Sequence, residues 1–196
     1  MIKEGIQFIA DVIESMNLFE KVYSQVELVI DSEGKIVPAL YISKGKYKLV
    51  EYSANNGTAY VRKNGKISLS ETEIVGIPAC ESAYEINIPL KVVLYKKKDK
   101  LPIDCSYTED LLAEAVLFQF NSKQKDLKKA VGAMRSNILV KQIDTDSANV
   151  WKEETDNLES VDVNYDIACI GIEIDLILIS NKNCFKDICY TEEIGN

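Results

Sequence analysis

The sequence predicts an α+β fold, in which helices pack on one face of an antiparallel or mixed sheet. Three observations support this class. Ile167 to Ile179 reads IACIGIEIDLILI, with an apolar residue at every even-numbered position. Tyr84 to Tyr95 repeats this alternation, and three other stretches have helical patterns. Because side chains alternate between the two faces of a strand, the two segments predict long strands that share one apolar layer.

The beginning of the chain predicts a helix followed by a hairpin. Residues 2–16 place apolar side chains at helical spacing. Strands are predicted from Val22 to Ile30 and from Ile36 to Ile42, with a turn at Asp31 to Gly34 between them. Pro38 cannot donate a hydrogen bond to a neighbouring strand, so its strand is predicted to lie at an edge or to carry a bulge.

Residues 43–82 are predicted to form an extended β-hairpin arm that is exposed. Short strands are expected at Tyr47–Tyr52 and Thr58–Arg62, and the region is polar, with many lysines and asparagines. Tyrosine is favoured at protein interfaces, so one interpretation is that four tyrosines of this region form a contact surface. Strands also commonly contain tyrosine, which is the simpler explanation. The four are Tyr41, Tyr47, Tyr52 and Tyr60.

Two helices and a strand are predicted in the second half of the chain. A capping box at Ser106 opens a helix from Asp110 to Phe120 that is apolar on most sides and is therefore expected to be buried, under a sheet or between subunits. A second helix is expected from Lys123 to Met134, and a strand from Ser136 to Ile143.

The stretch after this strand resembles the opening of a calcium loop but lacks its glycine. Asp144 to Asp146 would start such a loop, yet Asn149 occupies its sixth position. The aspartates are therefore predicted to form a turn and a helix cap. Trp151 is predicted to be a packing anchor.

A single α+β domain is predicted over residues 1–180, with an acidic C-terminal tail over residues 181–196. No stretch of 18 apolar residues indicates a membrane span. Acidic residues interrupt the N-terminal apolar pattern, so no signal peptide is expected and the protein is expected to be made in a cytoplasm.

Composition excludes several kinds of chemistry. The chain contains no histidine, which excludes Ser-His-Asp and Cys-His catalysis and removes the commonest metal ligand. No glycine-rich nucleotide-binding motif occurs. No enzyme activity, catalytic residue, cofactor site or metal site is predicted.

The five cysteines are predicted to be free thiols. Cys184 and Cys189 could be two ligands of a metal site, but no second close pair accompanies them. The other three are Cys80, Cys105 and Cys169.

Glu173 and Asp175 lie two apart in the last predicted strand and so project from the same face. Paired carboxylates can bind a metal or transfer protons. The simpler interpretation is a solvated or interface-facing surface of the sheet, on which Lys91 of the other long strand could neutralise one of the charges.

Negative charge is concentrated at the end of the chain. Of a net charge of −8, residues 153–196 carry −9, from eleven acids and two bases. The 23 basic residues include only two arginines, Arg62 and Arg135. Since sequence-specific DNA readers depend on arginine, this composition argues against direct DNA recognition.

The order of the predicted elements resembles the tail-terminator and head–tail completion (neck ring) proteins of tailed bacteriophages. The first helix IKEGIQFIADVIESM, the strand and arm PALYISKGKYKLVEY and the central strand EINIPLKVVLYKKKD match in order. The helical layer TEDLLAEAVLFQF with LKKAVGAM and the closing strands RSNILVKQIDTD and IACIGIEIDLILIS complete the resemblance. The chain is rich in isoleucine, lysine and asparagine, as AT-rich genomes dictate, which would suit a crAss-like phage.

The resemblance implies a structural virion protein, assembled in the bacterial host cytoplasm, at the head–tail junction. Its copies would form a homo-oligomeric ring, joined through sheet edges and loops, and would contact neighbouring neck, tail or portal-side proteins. DNA would pass nearby without sequence-specific contact, repelled by an acidic lumen. No contact with a membrane is implied.

Two alternatives stay open. The acidic segment 153–196 could make the protein an adaptor or inhibitor module that binds a basic partner. A carboxylate-dependent enzyme that uses Glu173 and Asp175 is the third hypothesis.

Overall fold

The computed structural model describes residues 1–72, 83–101, 108–155 and 166–181. These residues form three α-helices, eight strands and one 3-10 turn at Lys98–Lys100. The helices are α1 (Ile2–Glu14), α2 (Thr108–Val131) and α3 (Ser147–Glu154). The strands are β1 (Lys21–Ile30), β2 (Ile36–Ser43), β3 (Lys46–Leu49), β4 (Thr58–Lys63), β5 (Ser68–Thr72), β6 (Ala83–Lys97), β7 (Arg135–Asp144) and β8 (Ile167–Asn181).

The described strands form one mixed sheet in the order β3-β2-β1-β4-β6-β8-β7, with β5 paired to the first part of β6. β1 and β4 run parallel, and the other pairs run antiparallel. The predicted α+β class is confirmed. The two long strands pair with each other along their whole length, from Ala83 opposite Asn181 to Lys97 opposite Ile167.

The main core lies between one face of this sheet and helices α1 and α2. The even-numbered side chains of β6 and β8 supply the floor of the core, as the alternation in the sequence predicts. Ile6, Ile9 and Ile13 of α1 and Leu112 and Val116 of α2 pack on that floor. Each such side chain contributes about 1.5–3 kcal/mol when fully buried, so this layer is the main source of stability.

Helix α1 approaches β8 closely at Gly5. A Cβ atom at this position would lie 2.7 Å from Cδ2 of Leu176 and 3.7 Å from Cγ1 of Val131. Glycine usually weakens a helix, by about 1 kcal/mol relative to alanine. Here it permits the helix to contact the sheet directly.

The predicted boundary between two helices in the second half is wrong, because α2 runs without a break through Asn121 and Ser122. The expectation that the first of these helices is buried on most sides is also wrong. Leu112 and Val116 are fully buried, but Leu111 is 37% and Phe118 70% exposed. The predicted capping residue Ser106 lies outside the described residues.

The prediction of a wholly exposed arm over residues 43–82 is corrected by β4. This strand lies in the middle of the sheet, between β1 and β6, and its first five residues are buried. Ala59 and Val61 face the main core, while Tyr60 and Arg62 face the opposite side. β3 and most of β5 are exposed as expected. Residues 73–82 lie outside the described part.

Helix α3 lies on the face of the sheet opposite α1 and α2, so the helices do not all share one face as predicted. Val150 of α3 packs in a smaller second core with Val26, Tyr60, Val93 and Cys169. The last two are odd-numbered residues of β6 and β8, which confirms that this core uses the other side of the long strands.

The β2–β3 hairpin projects from the sheet. Among the described strands, β1 pairs with β2 only from Ile36 to Leu40, and beyond Leu40 the partner of β2 is β3. The change follows an irregularity in β1, where Gln25 adopts a φ of 57° and the register with β4 shifts. Irregularities of this kind bend a strand. The strand that contains Pro38 is predicted to lie at an edge or to carry a bulge. β2 is not at an edge of the described sheet, and it does carry an irregularity, which lies between Tyr41 and Ser43 and not at Pro38 itself.

The positions of Leu112 and Phe118 on one helix allow a matched test of the fold. We expect Leu112→Ala to lower the free energy of unfolding by about 2–5 kcal/mol, because it opens a cavity under α2. Phe118→Ala should change it by less than about 0.5 kcal/mol. Urea unfolding followed by circular dichroism measures both. Equal losses in the two variants would mean that α2 packs through a different face.

Candidate functional site

The face of the sheet under α3 holds a cluster of ionic groups, defined here as the ionic cluster: Tyr60, Arg62, Lys91, Glu153 and Glu154. Arg62 of β4 and Lys91 of β6 lie directly opposite each other in the antiparallel register. Both side chains are nearly inaccessible to water. Like charges opposite each other on neighbouring strands repel, so this pair requires negative charge close by.

Helix α3 supplies that charge. It begins at Asp146, whose side chain accepts hydrogen bonds from the backbone N–H groups of Ala148, at 3.0 Å, and Asn149. The predicted turn and helix cap are thus confirmed. Val150 and Glu154 lie four residues apart, on one side of the helix, and both are 0% exposed. The cap therefore starts a helix whose inner side carries a carboxylate over the two cations.

Glu154 is fully engaged by its neighbours. Arg62 donates from Nη2 to Oε1 at 2.7 Å and from Nε to Oε2 at 2.9 Å, a bidentate arrangement. The hydroxyl of Tyr60 donates to Oε2 at 2.9 Å. Nζ of Lys91 lies 3.3 Å from Oε1 and also pairs with Glu153, whose side chain is 57% exposed.

Two cations and two carboxylates balance each other in the ionic cluster. Burial by itself lowers the pKa of Arg62, but the hydrogen bonds and charge of Glu154 outweigh this effect, and the net pKa is raised. Burial raises the pKa of Tyr60 well above its ordinary value. The hydroxyl of Tyr60 therefore keeps its proton and acts as a donor to Glu154.

An aromatic group borders the ionic cluster. The ring of Tyr52 lies 4.8 Å from that of Trp151 and 5.0 Å from that of Tyr95, both edge to face. Trp151 is the packing anchor that the sequence predicts. Tyr60 is 0% exposed and Tyr52 is partly buried, so these two do not belong to the contact surface proposed for the four tyrosines.

Cys169 lies beneath α3 and is a free, buried thiol, as predicted. Burial raises its pKa strongly, and a protonated thiol is a poor nucleophile. The other cysteines, Cys80, Cys105, Cys184 and Cys189, lie outside the described residues.

Glu173 and Asp175 lie on the same face of β8, as predicted, but the predicted partner of Lys91 is wrong. Glu173 is the register partner of Lys91, yet the Lys91 ammonium binds Glu153 and Glu154 of α3. Asp175 accepts a hydrogen bond from Nδ2 of Asn87 at 3.2 Å and pairs with Lys141 at 3.0 Å. This arrangement ties β8 to both neighbouring strands.

The geometry of the ionic cluster suits a structural function. Both oxygens of Glu154 are occupied by protein donors, and no part of the side chain reaches solvent. Within the described ranges, no group of three or more Cys, Asp or Glu side chains is placed to hold a metal ion. The cluster fastens α3 to the sheet and so closes the second core.

Sequence reasoning missed the ionic cluster, because its members come from three distant parts of the chain. The available signal was weak: Val150 and Glu154 at a four-residue spacing beside Trp151. That spacing predicts an inward-facing glutamate only after α3 is known to cover a sheet.

A different feature is exposed to solvent, namely the tip of the β2–β3 hairpin, residues 41–49. Its large apolar residues are 44–63% exposed, and the rings of Tyr41 and Tyr47 contact each other edge to face at 5.6 Å. Three exposed lysines, Lys44, Lys46 and Lys48, alternate with them. The apolar residues are Tyr41, Ile42, Tyr47 and Leu49.

A groove of about 390 Å³ lies at the base of this hairpin. Leu40 and Tyr41 line it together with the irregular part of β1 around Gln25, and Lys3 and Lys63 add two further basic side chains. The hairpin tip and the groove share Tyr41, and the charged residues that line the groove are Lys3, Lys63 and Glu27.

No protein-family model matches the sequence, and no curated protein matches it either. Within the described ranges, no helix has both the length and the hydrophobicity that a membrane span requires. The described residues define an α+β domain with a mixed sheet, a closed ionic cluster under α3 and an exposed hairpin tip.

The ionic cluster predicts unequal effects of two adjacent substitutions. Glu154→Gln should lower the free energy of unfolding by about 3–5 kcal/mol, because it leaves Arg62 and Lys91 buried without a full counter-charge. Glu153→Gln, at a largely exposed side chain, should cost about 0–1 kcal/mol. Denaturant unfolding of both variants at neutral pH is the measurement. A larger loss for Glu153→Gln would show that Lys91 depends on the outer carboxylate instead.

Gly171 of β8 predicts a second effect on α3. A Cβ atom there would lie 2.9 Å from Cε of Lys91 and 3.3 Å from Val150. We expect Gly171→Ala to push α3 outward, lower the free energy of unfolding by about 1–3 kcal/mol and shift the emission of Trp151, the single tryptophan, to longer wavelength.

Gly34→Ala serves as the control for this test, because Gly34 has a φ of 80° and no neighbouring atoms within 4 Å. It should cost a comparable amount through backbone strain while the fluorescence of Trp151 stays unchanged. If Gly171→Ala also leaves that fluorescence unchanged, α3 does not rest on Gly171.

Proposed function

We propose that this protein is a structural subunit of an oligomeric ring at the head–tail junction of a tailed bacteriophage. The observation that carries the proposal is the hairpin tip. Four large apolar side chains are exposed on the β2–β3 hairpin, where β3 is the described strand that pairs with β2 beyond Leu40. A two-stranded ribbon is marginally stable alone in water, and clustered exposed apolar residues are typical of interaction surfaces.

The arrangement of the rest of the domain favours a structural function over catalysis. The polar groups gathered under α3 bind one another, and Asp175 binds strands β6 and β7. A chain whose ionisable residues are used in this way is suited to hold a rigid shape. The order of helix, hairpins, long strand, helix and closing strands is the order on which the resemblance to neck ring proteins was based.

Copies in a ring would associate head to tail, so each would present two different surfaces. The hairpin tip supplies one surface of this kind. A stable contact needs about 800 Å² on each partner, which a hairpin with its basal groove can contribute to but not complete.

Sedimentation velocity with imaging of the purified protein tests this function. We expect closed oligomers of one size at micromolar concentration, or assembly onto particles of the phage that encodes the protein. A species that stays monomeric at the highest attainable concentration and never accompanies particles would refute the proposal.

The acidic adaptor is the second candidate, favoured by residues 153–166, which contain six acids and no base. Deletion of residues 153–196 is not a usable test, since it removes β8 from the middle of the sheet. Substitution of the exposed acids Glu153 and Asp166 by Gln and Asn preserves the fold better. Loss of a stoichiometric basic host partner from pull-downs with this variant would favour the adaptor.

A further inference from the structure

We infer that the outer face of helix α2 pairs with the same face of a second copy of this chain, antiparallel and about a twofold axis. The outer face is the side of α2 that points away from the sheet, and all of its members are exposed: Asp110, Leu111, Glu114, Phe118, Lys125 and Lys129. A twofold contact joins a surface to itself, whereas a head-to-tail ring joins two different surfaces. The inference therefore goes beyond the proposed ring and does not rest on it.

The first argument is the apolar part of the outer face. Leu112 and Val116 point toward the sheet and are fully buried, whereas Phe118 is 70% and Leu111 37% exposed. Leu111 and Phe118 are seven residues apart, which is about two turns, so they lie on one side of the helix. A helix that is apolar on most sides is normally covered on most sides. The sheet covers one side of α2, and the outer face is suited to a second partner.

The second argument is the order of charges along the outer face. Asp110 and Glu114 precede Phe118, and Lys125 and Lys129 follow it. Within the described part of the chain, none of these four charged groups takes part in an ion pair. The two acids lie four residues apart, as do the two lysines, so like charges repel each other within the helix. The outer face is therefore acidic before Phe118 and basic after it.

The dipole of the helix does not explain this order by itself. It favours acids in the first turn and bases in the last turn, and its effect is confined to those turns. Glu114 and Lys125 lie outside both turns. Glu109, in the first turn, already pairs with Lys98 and does not belong to the outer face. A charged partner supplies the explanation that the dipole does not.

A second copy of α2 carries the complementary order of charges when it lies antiparallel. One alignment sets Glu114 opposite Lys125 of the second copy. It also sets Asp110 opposite Lys129 of that copy, because the acids and the lysines have the same four-residue spacing. The two Phe118 residues then lie about 4.5 Å apart along the helix direction, at the centre of the contact. A parallel alignment would place like charges opposite each other, so complementarity selects the antiparallel pair.

The contact is expected to be weak. A helix of 24 residues is about 36 Å long and about 10 Å wide, so its outer face covers about 360 Å². A standard interface buries about 800 Å² on each partner. The pair should therefore dissociate in the dilute protein used for unfolding. Phe118→Ala is expected to weaken association and to leave the unfolding of the separate subunit almost unchanged.

Removal of the central aromatic ring is the first test. We expect Phe118→Ala to raise the dissociation constant of the pair at least about tenfold, since it removes the apolar anchor from both sides of the contact. Ile30→Ala is the matched control, because Ile30 is 74% exposed and lies on β1, away from α2. It should change the dissociation constant less than about twofold. Sedimentation equilibrium over a range of protein concentrations is the measurement.

A charge swap within one chain tests the alignment. Glu114→Lys and Lys125→Glu should each weaken the pair at least about fivefold, because each substitution places two like charges together on both sides of the axis. The double variant exchanges the two charges, keeps the net charge of the protein and should associate within about twofold of the unsubstituted protein. Circular dichroism and the fluorescence of Trp151 confirm that each variant is folded.

The outcomes separate the twofold pair from the ring. Unchanged association of Phe118→Ala would reject the outer face of α2, and closed oligomers that keep their size in this variant would still support the ring. Single charge variants that weaken the pair without recovery in the double variant would reject the antiparallel alignment. Dimers that disappear with Phe118→Ala, in the absence of any larger species, would support the pair and refute the ring. A monomeric unsubstituted protein would refute both.

Discussion

The pairing of β6 with β8 is the constraint on which the rest of the structure depends. Fifteen residues of each strand are in register, and both strands are covered on two sides. Even-numbered side chains enter the main core, and the odd-numbered Val93 and Cys169 enter the second core under α3. A shift of one residue would exchange the two sets, sending Lys91 and Glu173 into the apolar layer. β4, β5 and β7 pair directly with β6 or β8, and the three helices pack on the two faces of the sheet.

The two faces of the sheet are covered by different means. On one side, the burial of isoleucine, leucine and valine side chains holds α1 and α2 against the sheet. On the other side, α3 has only two turns and few apolar residues, so hydrophobic burial alone holds it weakly. The ionic cluster adds directional contacts that determine where α3 lies, because removal of Glu154 leaves Arg62 and Lys91 buried without a full counter-charge. Burial of Arg62, Lys91 and Glu154 costs desolvation energy, but their mutual contacts fix the position of α3 on the sheet.

The separation between a closed interior and an exposed hairpin bears on function. The buried ionic groups Arg62, Lys91 and Glu154 neutralise one another, while the lysines of residues 41–49 are exposed to solvent. Under the proposed ring function, the hairpin would contact a neighbour without disturbing the core of its own subunit. The irregularity at Gln25 contributes to this separation, since the hairpin leaves the sheet just beyond it.

The sequence by itself determined the long strands, the first helix (predicted over residues 2–16 and found at Ile2–Glu14), the helix cap at Asp146 and the α+β class, because these depend on periodicity and local hydrogen bonding. It also predicted Trp151 as a packing anchor and Cys169 as a free thiol. It predicted the strand at Thr58–Arg62 but placed it in an exposed arm, since the same polar, tyrosine-bearing stretch suits an exposed arm or a central strand. Only tertiary structure decided that Tyr60 and Arg62 are buried, that Lys91 binds Glu154 and not Glu173, and that α3 covers the second face. Those outcomes depend on groups that are distant in the chain, and local patterns carry no information about which of them will meet.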